Sequence, residues 1–138
     1  MKVIDNYQAE VIILAGYMRI LSADFISKYS GKILNIHPSL LPKFPGLNTH
    51  QRAIDASEKI HGASVHFVTE EVDGGPVIAQ QSVNIDSTDS PQTLAKKVLE
   101  KEHVLYPQVI RWYTQGRIKL LNNKTVILGR KNNMKKPF

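Results

Sequence analysis

No cysteine occurs among the 138 residues, which excludes a disulfide framework and a thiolate zinc site and makes a reducing compartment natural. No apolar run approaches the roughly 18 residues that a membrane span requires, and the amino terminus lacks the basic segment and apolar stretch of an export signal. A soluble, cytoplasmic protein is therefore expected. Aromatic residues are only 7% of the chain and fall mostly on faces expected to be buried, so no stacking platform for bases is evident and a nucleic-acid partner is not expected. Neither an internal repeat nor an interior linker interrupts the chain, whose length fits one domain. What is present suits a real core: 42% of residues are hydrophobic. The 18 Lys and Arg outnumber the 12 Asp and Glu, giving +6. That excess suits a polyanion or an anionic small molecule and does not choose between them. Part of it, Arg130, Lys131, Lys135 and Lys136, falls among residues 129–138 with little apolar content, which read as a basic, flexible tail.

Val3, Ile4 and Tyr7 recur at helical spacing, and Val11 to Leu14 is a short apolar run ended by Gly16, so a helix and then a buried strand are expected. Ser22 opens a short helix with Phe25, Ile26 and Tyr29 inside and Gly31 as its left-handed stop. Lys32 to His37 reads as a second strand. Strands joined by a helical crossover pair in parallel, which predicts an open α/β sheet. Three prolines between His37 and Gly46 forbid regular structure and fix a stiff loop. A helix from Thr49 to Ser57 follows. Strands at Ala63–Thr69 and Pro76–Ile85 then make an antiparallel excursion at the sheet edge. Ser90-Pro91 starts a long helix that Gly116 stops. Its apolar stripe is Leu94, Val98, Leu105, Tyr106, Val109, Ile110 and Tyr113, and Pro107 should kink it. A final hairpin, Arg117 to Leu128, turns at Asn122-Asn123.

Asn35 and His37 are alternate residues of a strand, so both side chains leave one face at its carboxyl end, where ligand crevices of open α/β sheets lie. The plainer reading of the pair is a satisfied histidine at a strand end. Asp73, before two glycines and Pro76, reads equally as an ordinary turn. Glu102 interrupts the apolar stripe, four after Val98 and four before Tyr106. A carboxylate there needs a partner, or keeps its head in water at the stripe edge. His50, His61, His66 and His103 lack the companions of a zinc site, and no metal is expected.

The run Asn35-Ile-His-Pro-Ser-Leu-Leu-Pro-Lys-Phe-Pro-Gly46 resembles the formyltransferase family that uses 10-formyltetrahydrofolate. Three further stretches are similar in order and spacing to its glycinamide ribonucleotide branch: Leu14 to Leu21, His66 to Thr69 continuing through Asp73 to Ile78, and Glu102-His103 with Tyr106-Pro107. The resemblance covers nearly the whole chain to about Leu120. It implies a formyltransferase domain over residues 1–128 with an open, mostly parallel, Rossmann-like sheet. It also implies transfer of a formyl group from 10-formyltetrahydrofolate, a co-substrate, to the amine of glycinamide ribonucleotide, a step of purine biosynthesis. By the same resemblance Asn35, His37 and Asp73 are catalytic. Met18, Arg19, Ile20 and Leu21, with Asn35, Val68, Thr69, Glu70, Glu71, Val72 and Asp73, hold the folate. Pro38, Gly46, Leu99, Glu100, Lys101 and Glu102 hold the ribonucleotide. Ile20 and Leu21 also fit plain core packing.

Formyl transfer passes through a tetrahedral carbon bearing an oxyanion. A protonated His37 and the Asn35 amide are suited to donate to it, and Asp73 to favour the imidazolium and align a proton-carrying water.

The sequence departs from complete relatives at the front, where they carry a further first strand and a glycine-containing loop that grips phosphate. A chain that begins after those parts leaves an apolar sheet edge, so either self-association through that edge or impaired activity is expected. Rival readings within the family are a formyltetrahydrofolate hydrolase, with water in place of the amine, and a methionyl-tRNA formyltransferase. Pro38 after His37 and the Asp73-Gly-Gly-Pro text stand against the first, and the lack of an added domain after Leu128 against the second. A noncatalytic fragment that binds folate or RNA is the rival from another class.

Overall fold

The computed structural model describes residues 11–15, 22–71, 73–121 and 124–127. Along them run β1 (Ile12–Ala15), α1 (Ala23–Lys28), β2 (Ile33–His37), α2 (Thr49–Asp55), β3 (Ile60–Phe67), β4 (Val77–Asn84), α3 (Pro91–Thr114), β5 (Ile118–Leu121) and β6 (Lys124–Ile127). The expected helix over residues 1–8, the turn at 122–123 and the tail at 129–138 lie outside the described residues.

Four strands form one sheet in the order β1-β2-β3-β4, and β5 and β6 pair separately as an antiparallel hairpin. The crossover through α1 joins β1 and β2 in parallel, as the sequence predicts, with Ile12 beside Ile33 and Leu14 beside Asn35. The next two pairs are antiparallel, so the described sheet is mixed, with the Ile60–Asn84 excursion making up half of it. That excursion needs glycine at its return. A Cβ on Gly75 would run into the backbone carbonyl of Phe67, so only glycine lets the chain leaving Asp73 pass this close to the end of β3.

All five residues of β2 are buried, because it is covered on both faces. Leu34 and Ile36 join Ala63, Val65 and Phe67 of β3 against α3, while Ile33 packs with Ile12, Ile26 and Tyr29 on the other side. Alternation therefore sends Asn35 and His37 to the face opposite α3. Helix α3 begins in a capping box: the Ser90 hydroxyl accepts from the Thr93 N–H, and the Thr93 hydroxyl accepts from the Ser90 N–H. It buries Leu94, Val98, Leu105, Tyr106, Val109 and Trp112, each aliphatic side chain among them contributing about 1.5–3 kcal/mol. Trp112 is absent from the stripe read in the sequence, although it lies three after Val109 on the same face. Ile110 and Tyr113, placed in that stripe, are only partly buried. The Tyr106 hydroxyl reaches β1 and β2, bonding to the Leu14 backbone and to the Leu34 carbonyl. It is a polar pin inside an apolar interface. Gly31 and Gly116, with φ of 76° and 75°, follow the ends of α1 and α3 as left-handed stops.

His61 lies inside β3, 1% exposed, with its Nε2 3.1 Å from Nδ1 of His50 on α2. Burial first, then the neighbouring His50 and His37 rings, push its pKa down from 6.5 to about 4, against a weaker upward pull from Glu58. The unfolded chain thus takes up a proton near pH 6.5 that the folded chain refuses, so this contribution to stability is present above that pH and is lost as pH falls toward 4. Urea midpoints should fall across this window in the native chain and fall less steeply in His61→Gln. An equal slope in both would place the pH dependence elsewhere.

Candidate functional site

The antiparallel register of β2 and β3 sets Asn35 opposite His66 and His37 opposite Ser64, so four polar side chains form a square on the face away from α3. All are buried. His66 is oriented from below: its Nδ1 lies 3.0 Å from the Phe67 carbonyl, which only accepts, so Nδ1 carries the hydrogen. Burial holds the His66 pKa below its ordinary value, against the Phe67 carbonyl and the Asp73 carboxylate, which pull it up. The neutral ring then offers a lone pair at Nε2, and the Asn35 Nδ2 donates to it at 3.3 Å. This fixes which way the Asn35 amide points. Its Oδ1 is left buried without a hydrogen-bond partner among the described residues, a state that costs about 1–3 kcal/mol unless a ligand or water donates to it.

His37 is held by the loop that follows it. Its Nε2 lies 2.8 Å from the Phe44 carbonyl, so that nitrogen carries a hydrogen, and its Nδ1 lies 3.5 Å from Oδ1 of Asp73. The same Asp73 oxygen lies 3.8 Å from His66 Nε2, and Oδ2 accepts the Gly46 N–H at 2.8 Å. One carboxylate therefore faces both histidines and the loop. Asp73 takes a φ of 53°, a left-handed conformation that Asp tolerates better than most residues. The turn that its sequence predicts is what aims the carboxylate inward, toward the two histidines and the Gly46 N–H.

The loop from Pro38 to Asn48 is stiff for more reasons than its prolines. Ser64 Oγ donates to the Ser39 carbonyl and accepts the Leu41 N–H, Gln80 donates to the Leu41 carbonyl, and Thr49 donates to the Pro38 carbonyl. These bonds run from β3, β4 and α2 to the loop backbone, whose irregular path leaves it no ladder of its own.

On the α3 side of β2, Ile36, Leu99, Glu102, His103, Tyr106 and Pro107 line an open, largely apolar cleft of about 340 Å³. Glu102 is half-buried there, and burial raises its pKa, while His103 works the other way. Leu99 shares the cleft; Glu100 and Lys101 stand exposed on α3 and are not among its walls. A second groove, about 410 Å³, lies between α1, the 68–71 turn and β5, lined by Ile26, Ser30, Val68, Thr69, Glu70 and Glu71. Met18, Arg19, Ile20, Leu21 and Val72 lie outside the described residues. Among the described residues no group of three or more His, Asp or Glu could hold a metal ion, and no helix is long and apolar enough to cross a membrane.

The residue that sequence reasoning passed over is His66, weighed only as a zinc ligand. The alternation of Ala63 to Thr69 puts it on one face with Ser64, but its pairing with Asn35 depends on the β2–β3 register, and no local pattern encodes that register.

The formyl transferase family model matches residues 1–110. The chain is 50% identical over 128 residues to the phosphoribosylglycinamide formyltransferase of Escherichia coli strain K12, covering 93% of this chain and 60% of that protein. It is 40% identical over 128 residues to a formyltetrahydrofolate deformylase of Corynebacterium strain P-1, covering 93% of this chain and 45% of that one. Among solved structures, the phosphoribosylglycinamide formyltransferase of Coxiella burnetii superposes with a TM-score of 0.88 at 49% identity, over 94% of this chain and 61% of the other. The chain thus spans about 60% of the length of these bacterial formyltransferases. With a matching family model over most of its length and a solved relative superposing over 94% of it, this chain belongs to the formyl transferase family.

Proposed function

We propose that this chain carries the reaction centre of a glycinamide ribonucleotide formyltransferase, moving the formyl group of 10-formyltetrahydrofolate to the ribonucleotide's primary amine. The observation that carries the reading is the buried Asn35–His37–Asp73 cluster with its orphaned Asn35 oxygen. That oxygen is an acceptor looking for an N–H, which is what an attacking amine supplies. The names and identity of the relatives in Escherichia coli and Coxiella burnetii support the choice of acceptor.

The chemistry requires three things of the protein. The amine must be aimed, the oxyanion of the tetrahedral carbon must be stabilised, and a proton must pass from the amine to the folate nitrogen that leaves. Asn35 Oδ1 aims the amine's lone pair by accepting one of its hydrogens. His37 has one nitrogen committed to the Phe44 carbonyl, so Nδ1, loosely placed 3.5 Å from Asp73, is its working atom. With a proton on Nδ1 it donates to the oxyanion, while Asp73 offsets the charge and aligns a water that carries the amine's proton to the folate nitrogen as the bond from that nitrogen to the formyl carbon breaks. The Asn35 amide has one hydrogen committed to His66, so donation to the oxyanion falls mainly to His37. No covalent enzyme intermediate is needed.

For the substrates, the folate ring is assigned to Met18, Arg19, Ile20, Leu21 and the Val68–Asp73 turn, whose outer wall borders the 410 Å³ groove. The ribonucleotide is assigned to Pro38, Gly46 and the Glu102 cleft, with Glu102 accepting from hydroxyl groups. Pro38 and Gly46 act by backbone. Replacing the amine by water turns the same geometry into a hydrolase, and the deformylase relative makes that the second reading. The working site of such an enzyme is cytoplasmic, where reduced folates and nucleotides meet.

Tetrahydrofolate release by the purified chain, with and without glycinamide ribonucleotide, tests the proposal. Release that depends on the ribonucleotide is expected; release at the same rate without it would make the chain a hydrolase, and none in either case would defeat the catalytic reading. His37→Ala should bind folate as the native chain does and lose at least about 100-fold in turnover, the scale of one lost oxyanion donor. Equal loss of folate binding and turnover would make His37 structural.

A further inference from the structure

The segment Phe44–Leu47 supports the site yet has little to hold it. Phe44, Gly46 and Asn48 take φ of 52°, 84° and 56°. Asn tolerates this left-handed conformation, but Phe44 keeps it only where surroundings impose it. The described residues supply no backbone hydrogen bond to residues 44–47. Their side-chain partners are His37, on the Phe44 carbonyl, Asp73, on the Gly46 N–H, and Arg52. The first two are the site itself.

Besides an edge contact of the Phe44 ring with His61, whose centre lies 6.2 Å away, Arg52 on α2 is therefore the support from outside the site, and the one that hydrogen-bonds the segment's backbone. Its Nη1 donates to the carbonyls of both Pro45 and Leu47, on either side of Gly46, and its guanidinium lies 5.4 Å from the centre of the Phe44 ring. An always charged group whose Nη1 carries two hydrogens and whose flat face lies against an aromatic ring can hold two carbonyls and a ring at once; an ammonium has no such face, and an amide no charge. Gly46 is thus held from both sides, by Arg52 through its neighbours' carbonyls and by Asp73 through its own N–H.

The consequence reaches His37. A neutral imidazole carries its hydrogen on one nitrogen or the other, and the partner of one nitrogen decides the state of its mate. Here the partner is the Phe44 carbonyl. We infer that Arg52 is a positioning residue: by fixing Phe44–Leu47 it keeps the hydrogen of neutral His37 on Nε2 and leaves Nδ1, which faces Asp73, as the atom that takes up and gives the second proton. The importance of that tautomer for turnover rests on the function proposed above; the tautomer itself does not.

The experiment therefore reads the ring directly. Nitrogen-15 NMR of the imidazoles, recorded above their titration range on the native chain, Arg52→Ala and Arg52→Lys, reports the tautomer, and amide exchange at Gly46 reports the hold on the loop. The native chain should show His37 as the Nε2–H form. Arg52→Ala should move it to a mixture of both forms and speed Gly46 exchange by about tenfold or more, with Val65 and Leu105 unchanged. Arg52→Lys should fall between. Unchanged His37 shifts and Gly46 exchange in Arg52→Ala would overturn the inference, as would acceleration of Val65 and Leu105 to the same degree, which would make Arg52 a stability residue. These readouts need no turnover, so absence of formyl transfer would count against the proposed function alone.

Discussion

The Asp73 carboxylate is where three distant segments of the chain are tied. It accepts the Gly46 N–H from the proline-rich loop, faces His37 at the end of β2 and faces His66 in β3, with only 8% of its side chain exposed. A charge taken this far out of water needs polar partners on every side. Those partners restrict where each segment sits. The loop cannot move from the sheet without stripping Asp73 of its backbone donor, and Asp73 reaches inward only because Gly75 lets the chain leave β3 along a path that a side chain would block.

The sheet's two faces divide the labour. Toward α3 β2 contributes Leu34 and Ile36 to the larger apolar core, and away from α3 it contributes Asn35 and His37. A strand buried on both sides can present polar groups only at the cost of partners for each, and His66, Ser64 and the loop carbonyls provide them. The Asn35 oxygen that stays without one lies on the face opposite α3, whereas the cleft where Glu102 waits half-buried lies on the α3 side and is bordered from β2 by Ile36.

Much of this was legible in residue order. The helix starting at Ser90-Pro91, its stop near Gly116, the β1–α1–β2 crossover and the hairpin flanking 122–123 follow from capping chemistry, turn residues and periodicity, all of which act within a few residues. The Asn35–His37 pair was legible for the same reason, since alternation along a strand is local. Trp112 falls outside the stripe read in the sequence although it lies three after Val109, and Glu100 and Lys101, placed with Glu102 by the family resemblance, stand exposed because neighbours on a helix point in different directions.

The sequence by itself determined the elements, the stiffness of the loop after His37 and the family, because propensity, caps and an extended motif are written in consecutive residues. Only the tertiary structure decided that His66 holds Asn35, that Asp73 joins His37 to Gly46, and that Arg52 grips the loop. Each of these depends on the β2–β3 register or on the docking of α2 against the loop, and both arise from the summed packing of residues far apart in the chain.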